Sequence, residues 1–354
     1  MSGSRHHFIP RFLQKGFSSR STNQDVYCWT YSKNKKPFQA NIKNVGVETL
    51  FYSVASETDL DDKISKEEEA NFSPLIDKLR AGSLSADDTV RIAAMLAHFE
   101  IRGRHLRSNA NILFSELMRT LVTTFTDIAF LESLFTKVMS VKSAMFRKSL
   151  RKAGISKQLF NQIMRTNPQA VREFKLKAAR DVATAVYEQR TVIPVMIADA
   201  IKRGHIKVLA ESVSPKKRIC RYLNLTFSVR EFVGGDLPLG DSIVIFHVAG
   251  ERQFKPFLDK ADRLIAVILP LSSSQYLVGE SYEMGSEQYS SLPSEISRCS
   301  FEYFISSKND ELTKDLHSRI GSNSHWLVKE EVHKIFAESM DELMDKLPHQ
   351  ARDK

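Results

Sequence analysis

Cysteine is scarce in this chain: Cys28, Cys220 and Cys299 stand isolated and odd in number among 354 residues. That excludes a disulfide framework and a cysteine-built zinc site, and it implies a reducing compartment, the cytoplasm. Long apolar runs are missing as well. The longest, Leu264 to Leu271, is eight residues with a proline near its end, against the roughly 20 needed to cross a bilayer. No membrane span is expected, and the opening MSGSRHHFIPRFLQK has no apolar stretch of signal-peptide length. Absent too are both standard phosphate-binding glycine loops, which removes the simplest nucleotide-dependent enzymes, and there is no serine nucleophile elbow or pair of zinc-ligand helices. There is no internal repeat and no low-complexity tract.

What is present reads as a globular protein: 42% hydrophobic, 26% charged and 9% aromatic residues are ordinary values for a packed chain. The length suits one elaborated domain or two modest ones. Net charge is +9, and its distribution says more than its total. Residues 141–180 hold eleven basic side chains and a single acid, Glu173, which leaves the remainder close to neutral. On a helix Arg147, Lys148, Arg151 and Lys152 fall at i, i+1, i+4 and i+5 and gather on one side. Such a patch is a phosphate-contacting surface for RNA or DNA, or else a solvated helix face that confers solubility.

Along the chain, Val26–Tyr31 reads as a strand, a polar turn follows through Pro37, and Leu50-Phe51-Tyr52 ends an N-terminal strand segment over 1–60. From Asp61 apolar residues recur at three and four, stopping at Gly82 and restarting after Ser85 in a long helix that carries on through Leu121. This helical block extends over 61–204, interrupted near Gly154, Asn167-Pro168 and Pro194. After Gly204 the texture turns β-branched, with strands expected at 206–209, 219–232, 243–248, 264–269 and 276–278. Helices are expected again from Ser294 to Ile305 and from Trp326 to Leu347, closing a 205–354 segment. The class is α+β: N-terminal strands, a central helical block, and a mostly antiparallel C-terminal sheet with closing helices. The three segments fit one elaborated domain.

Several polar positions invite chemistry. His6-His7 precedes an amphipathic segment, and in an extended chain the two imidazoles point to opposite sides, so only one faces a given site. An imidazole there serves as general base, metal ligand or structural hydrogen-bonding group. Glu67-Glu68-Glu69 lies on a helix leading to Pro74. Arg102, Arg104 and Arg107, with His98 and His105, fall near a helix middle and bind an anion or meet solvent. Asp236 sits in a Gly-Gly-Asp-Leu-Pro turn between two strands.

The order His7-Phe8-Ile9-Pro10-Arg11-Phe12-Leu13 with Phe17, then Phe51-Tyr52, then Glu69 five residues before Pro74-Leu75-Ile76, resembles the bacterial domain-of-unknown-function family 4238. Asp236-Leu237-Pro238 and Leu269-Pro270-Leu271-Ser272 are similar to later motifs of that family, and the resemblance covers residues 6–305. It implies a site in which His7, Glu69, Arg102 and Asp236 converge from four segments. In that site His7, rather than His6, faces the interior. His7 acts as base or ligand, Glu69 and Asp236 as acids or ligands of a divalent metal such as Mg or Mn, and Arg102 holds an anion. With the basic patch, this points to a phosphodiester hydrolase, a nuclease or toxin in a bacterial antiviral-defence system. The competing class is a non-catalytic module that binds nucleic acid or a protein.

Overall fold

The computed structural model describes residues 5–52, 59–139, 144–212, 214–281, 289–327 and 329–346. The chain divides into two units, one of residues 1–109 and 201–326, the other of residues 110–200 and 327–354. The first unit opens with β1 (Arg5–His7), α1 (Arg11–Gln14), β2 (Arg20–Ser21), β3 (Val26–Ser32), β4 (Phe38–Asn41) and β5 (Val47–Thr49). Helices α2 (Asp59–Arg80) and α3 (Thr89–Arg102) follow, then α4 (Arg104–Thr126), whose later turns belong to the second unit. That unit continues with α5 (Ile128–Val138), α6 (Ala144–Lys152), α7 (Lys157–Thr166), α8 (Pro168–Gln189) and the first turns of α9 (Val192–Glu211), whose later turns return to the first unit. The first unit resumes with α10 (Lys216–Tyr222), β6 (Leu225–Glu231), β7 (Leu239–Gly240), β8 (Ile245–Val248), β9 (Phe254–Lys255), β10 (Leu264–Pro270) and β11 (Gln275–Ser281). It ends with α11 (Leu292–Cys299), β12 (Tyr303–Ser306) and α12 (Glu311–His317), and α13 (Lys329–Lys346) belongs to the second unit.

Local chemistry explains most boundaries. Asn34 takes the left-handed conformation (φ 62°) in the turn joining β3 to β4, which an Asn side chain tolerates. Ser85 and Asp88 form a reciprocal capping box ahead of α3. Asp127 caps α5 through the Ala129 and Phe130 amides, Ser156 caps α7 through the Leu159 amide, and Pro168 stands at the first turn of α8.

The larger sheet is wholly antiparallel, in the order β6-β11-β10-β8-β9. In β10, Val267 and Leu269 face one hydrophobic cluster, shared with Leu75, Leu96 and Phe99, while Ala266 and Ile268 face another, shared with Leu292 and Ile296 of α11. Both faces are covered, which is why this strand is the longest apolar run in the chain. A second antiparallel sheet has the order β2-β3-β12-β7, with β4 also on β3, and a two-stranded ribbon pairs β1 with β5. The class is α+β as expected, and among the described residues no helix is long and apolar enough to cross a membrane.

Four local expectations are corrected. Residues 206–209 are not a strand but the last turns of α9, where Ile206 and Leu209 are buried at the three-residue spacing of a helix face. The 219–232 strand is divided: α10 runs to Tyr222 and β6 begins at Leu225. The 294–305 helix ends at Cys299, and Tyr303–Ser306 instead inserts as β12 between β3 and β7. The long helix after Ser85 breaks at Gly103, so Arg102 ends α3 and Arg104 starts α4. A Cβ at Gly103 would lie 2.3 Å from the His105 ring; glycine is what lets the imidazole fold back against the break.

The N-terminal segment is fastened to the core by Arg80 of α2. Its guanidinium donates to the carbonyls of Phe12 (3.1 Å), Leu13 (2.9 Å) and Leu271 (2.6 and 2.9 Å). Replacing it by an apolar chain of similar length leaves three carbonyls without their donor, and each charge-assisted bond is worth about 1.5–3 kcal/mol. Arg80→Met is expected to destabilise the protein by at least about 3 kcal/mol in chemical denaturation, with Arg80→Lys intermediate. A variant within about 0.5 kcal/mol of wild type, the usual range for surface substitutions, contradicts this role.

Candidate functional site

The histidine-bearing segment is shaped by its neighbours in space. β1 pairs antiparallel with β5, setting His6 opposite Glu48 and His7 opposite Val47. Beyond the ribbon, the Phe8 and Ile9 amides both donate to the Gly46 carbonyl. Gly46 has φ +64° and a Cβ there would lie 2.7 Å from Ile9, so only glycine permits this approach without strain. Gln14, fully buried, closes the turn by donating to the Ile9 and Val45 carbonyls at 2.8 and 3.0 Å. Phe8, Ile9, Leu13 and Phe17 enter the main core.

The structure buries His6 more deeply than His7. His6 is 2% exposed, its Nδ1 accepts the Tyr52 amide at 2.9 Å, and its ring stacks on Tyr52 with centroids 5.6 Å apart. His7 is half-buried, and its carbonyl accepts a 2.5 Å bond from Arg102. Burial lowers the His7 pKa to about 4, helped by the charges of Arg11, Arg102 and Arg5 and opposed by a backbone interaction at Val45. Its imidazole is therefore neutral at pH 7. Arg102, at the end of α3, also lies 3.4 Å from His98 Nε2, with its guanidinium carbon 5.7 Å from the Tyr52 ring centre. His7 and Arg102 are thus brought together, with His6, Tyr52 and His98 around them.

Beside this group lies a second buried one. Arg107 donates to the Phe51 carbonyl at 2.9 Å, lies 4.1 Å over the Phe51 ring, and approaches Glu48 at 3.7 Å. His205 donates from Nε2 to the Ile101 carbonyl at 2.7 Å, so its Nδ1 accepts from Arg107 at 3.0 Å. Burial, together with the Arg107 charge, lowers His205 to about 4. A further buried carboxylate, Glu100, is ion-paired with Arg218 and accepts the Tyr222 hydroxyl at 2.6 Å. Tyr52 entered the sequence reading only as part of the Phe51-Tyr52 motif, and Glu100 and His205 were not singled out. Glu100 sits within a largely apolar helix stretch, and only the Gly204 break beside His205 gave any signal.

Asp236 is placed elsewhere. It is buried, and its two carboxylate oxygens accept the Ser306 hydroxyl (2.5 Å), the Ser307 hydroxyl (2.6 Å) and the Ser307 amide (3.0 Å). These are the bonds of a clamp on the end of β12, and no described contact joins Asp236 to His7 or Arg102. With its oxygens committed to serine donors, Asp236 does not fit as a metal ligand beside His7. The Glu69 side chain lies outside the described residues. Among the described residues, no three His, Cys, Asp or Glu groups are gathered to hold a metal ion. Arg147, Lys148, Arg151 and Lys152 are all exposed on α6 of the second unit.

The buried imidazoles make stability depend on acid. His105, like His205, is lowered to about 4, chiefly by burial. Above pH 6.5 both are neutral whether the chain is folded or not. As pH falls from 6.5 to 4 the unfolded chain takes up protons that the folded chain refuses, which destabilises the fold by about 3 kcal/mol per histidine at 1.36 kcal/mol per pH unit. Asp241 acts oppositely. Burial raises it to about 6 although it accepts the Phe301, Glu302 and Tyr303 amides, so between pH 6 and 3.8 the folded state binds its proton more tightly. Two histidines against one aspartate leave a net loss on the order of 3 kcal/mol, and the less deeply buried His7, also lowered to about 4, adds to it in the same direction. The melting temperature is expected to fall between pH 6.5 and 4, and His205→Gln, which keeps a donor and an acceptor in place, to make that fall shallower. A flat profile contradicts the burial of these imidazoles.

No curated protein and no solved structure matches the chain. A family described as "Protein of unknown function (DUF4238)" matches residues 5–335, from the first residue of β1 into α13. On the extent of that match, the chain belongs to the DUF4238 family.

Proposed function

We propose that this protein binds RNA or DNA through phosphate contacts made by the helices of its second unit. One observation carries the reading: of the basic residues between 147 and 180, nine are exposed, and none forms an ion pair with a carboxylate among the described residues. Exposed cations on a solubilising face are commonly interspersed with acids, whereas the only acid in this stretch is Glu173. Arg147, Lys148, Arg151 and Lys152 line successive turns of α6, and Lys157, Arg165, Arg172, Lys177 and Arg180 continue through α7 and α8. Each phosphate neutralised releases condensed counterions, so binding weakens steeply as salt rises. Such a ligand places the protein's work in the cytoplasm.

A second reading, phosphodiester hydrolysis, is favoured by the pairing of His7 with Arg102. The imidazole is neutral and so able to accept a proton, and guanidinium charge surrounds it. An incoming phosphate would offset that charge and raise the proton affinity of His7 toward the range useful in catalysis. Glu69 is the candidate acid or ligand on this reading, with Mg or Mn as the candidate metal, and the protein would then serve as a nuclease or toxin in antiviral defence.

The binding reading is tested by fluorescence anisotropy with unrelated RNA and DNA oligonucleotides between low and physiological salt. Exchanging Arg147, Lys148, Arg151 and Lys152 for Glu is expected to weaken every oligonucleotide alike, by at least tenfold, and to reduce the salt slope by about 3 to 4. Unchanged affinity, or no binding at low salt, contradicts the proposal.

Hydrolysis is tested separately, by incubating labelled RNA and DNA with and without Mg or Mn. His7→Ala and Glu69→Gln are expected to abolish cleavage without moving the melting temperature by more than a few degrees. Asp236→Asn is expected to lower the melting temperature first, because it breaks the clamp on Ser306 and Ser307. Full activity in His7→Ala removes His7 from the mechanism.

A further inference from the structure

The sheet built on β3 is covered unequally on its two faces. On one, Tyr31 and Phe304 stack at 4.8 Å and pack against Leu316 and Ile320. Cross-strand partners share a face, so the register Thr30 opposite Phe38 and Ser32 opposite Tyr303 puts these four on the other side. There the main core takes in Cys28 and Ile305, with Ala40 and Tyr303 packed against it, while Phe38 stays half exposed. Thr30, Ser32, Phe38 and Tyr303 line a cleft of about 650 Å³, walled by Phe8, Asn44–Val47 and Arg104.

The lining constrains what could enter. Phe38 is 48% exposed and makes no ring contact with an aromatic residue among the described ones, so an aromatic face stands open at the cleft. Arg104 is already held by Glu302 at 2.7 Å and Glu48 at 3.2 Å, so its charge is spent and a phosphate gains little there. Asn44 uses its side-chain oxygen to accept from Arg5, which leaves its amide N–H groups for a ligand, and Ser32 adds a hydroxyl. The volume lies within the range of small-molecule sites, about 300–1,000 Å³.

We propose that this cleft binds a nucleoside, its base stacked on Phe38 and its polar edge met by Asn44 and Ser32. Stacking on an open aromatic ring accepts any base, and the amide and hydroxyl supply the preference among bases. The neutralised Arg104 makes the uncharged nucleoside the ligand rather than its phosphate ester. This site is independent of the basic helices of the second unit.

The test is saturation-transfer NMR on the full chain with adenosine, guanosine, cytidine and uridine, followed by calorimetry on the strongest. At least one nucleoside is expected to receive saturation, more strongly at base than at ribose protons, and its 5′-monophosphate is expected to bind no tighter. Phe38→Ala is expected to weaken binding at least tenfold with an unchanged melting temperature, since the ring is half exposed. Asn44→Ala is expected to change the order of preference among the four. No saturation at millimolar nucleoside, free ribose binding as well as the nucleoside, a monophosphate binding tenfold tighter, or Phe38→Ala binding like wild type would each overturn the assignment. None of these outcomes bears on the oligonucleotide anisotropy, which reports other residues.

Discussion

Three guanidiniums, those of Arg102 and Arg107 buried and that of Arg80 partly so, hold the N-terminal segment by its backbone, and the candidate site depends on them. Arg80 donates to Phe12 and Leu13, Arg102 to His7, and Arg107 to Phe51. The β1–β5 ribbon is three residue pairs long and would be marginal alone. Burying a guanidinium is costly, and burial lowers the pKa of Arg80 and Arg107, with Asp77 and Glu48 partly restoring it. The carbonyl bonds offset that cost only in this one arrangement, so the arginines select where the segment lies as well as stabilising it.

The same charges set the proton states around the site. A guanidinium beside an imidazole disfavours a second positive charge, and burial acts in the same direction. His7 and His205 are therefore neutral at pH 7, and His205 has its tautomer set by donating to Ile101 while accepting from Arg107. This produces a group of neutral imidazoles among fixed cations, which suits an anion. Among the acids, Glu48 pairs with Arg104 and Arg107, whereas Asp236 clamps the end of β12 and Glu100 is satisfied by Arg218 and Tyr222.

Much of the fold was legible because its signals are local. The β3–β4 hairpin is announced by β-formers flanking a polar turn, α3 by Ser85 and its capping acid, and β10 by an unbroken apolar run. The failures have a common origin. Ile206-Lys-Val-Leu209 is β-branched enough to read as a strand, yet it continues a helix already begun, and cooperativity outweighs propensity over four residues. Tyr303–Ser306 reads as a helix continuation until β3 and β7 are in place on either side of it, since strand pairing rewards partners distant in the chain.

The residues by themselves determined the α+β class, the concentration of cations between 147 and 180, and the unusual polarity of the His6-His7 segment, because composition, period and charge need no partner to be read. Only the tertiary structure decided that Arg102 meets His7 while Asp236 turns to Ser306, and that part of one face of the β3 sheet lines a cleft. Hydrogen bonds between groups seventy or ninety-five residues apart depend on how sheets and helices pack, and that geometry leaves no period in the chain from which it could be foreseen.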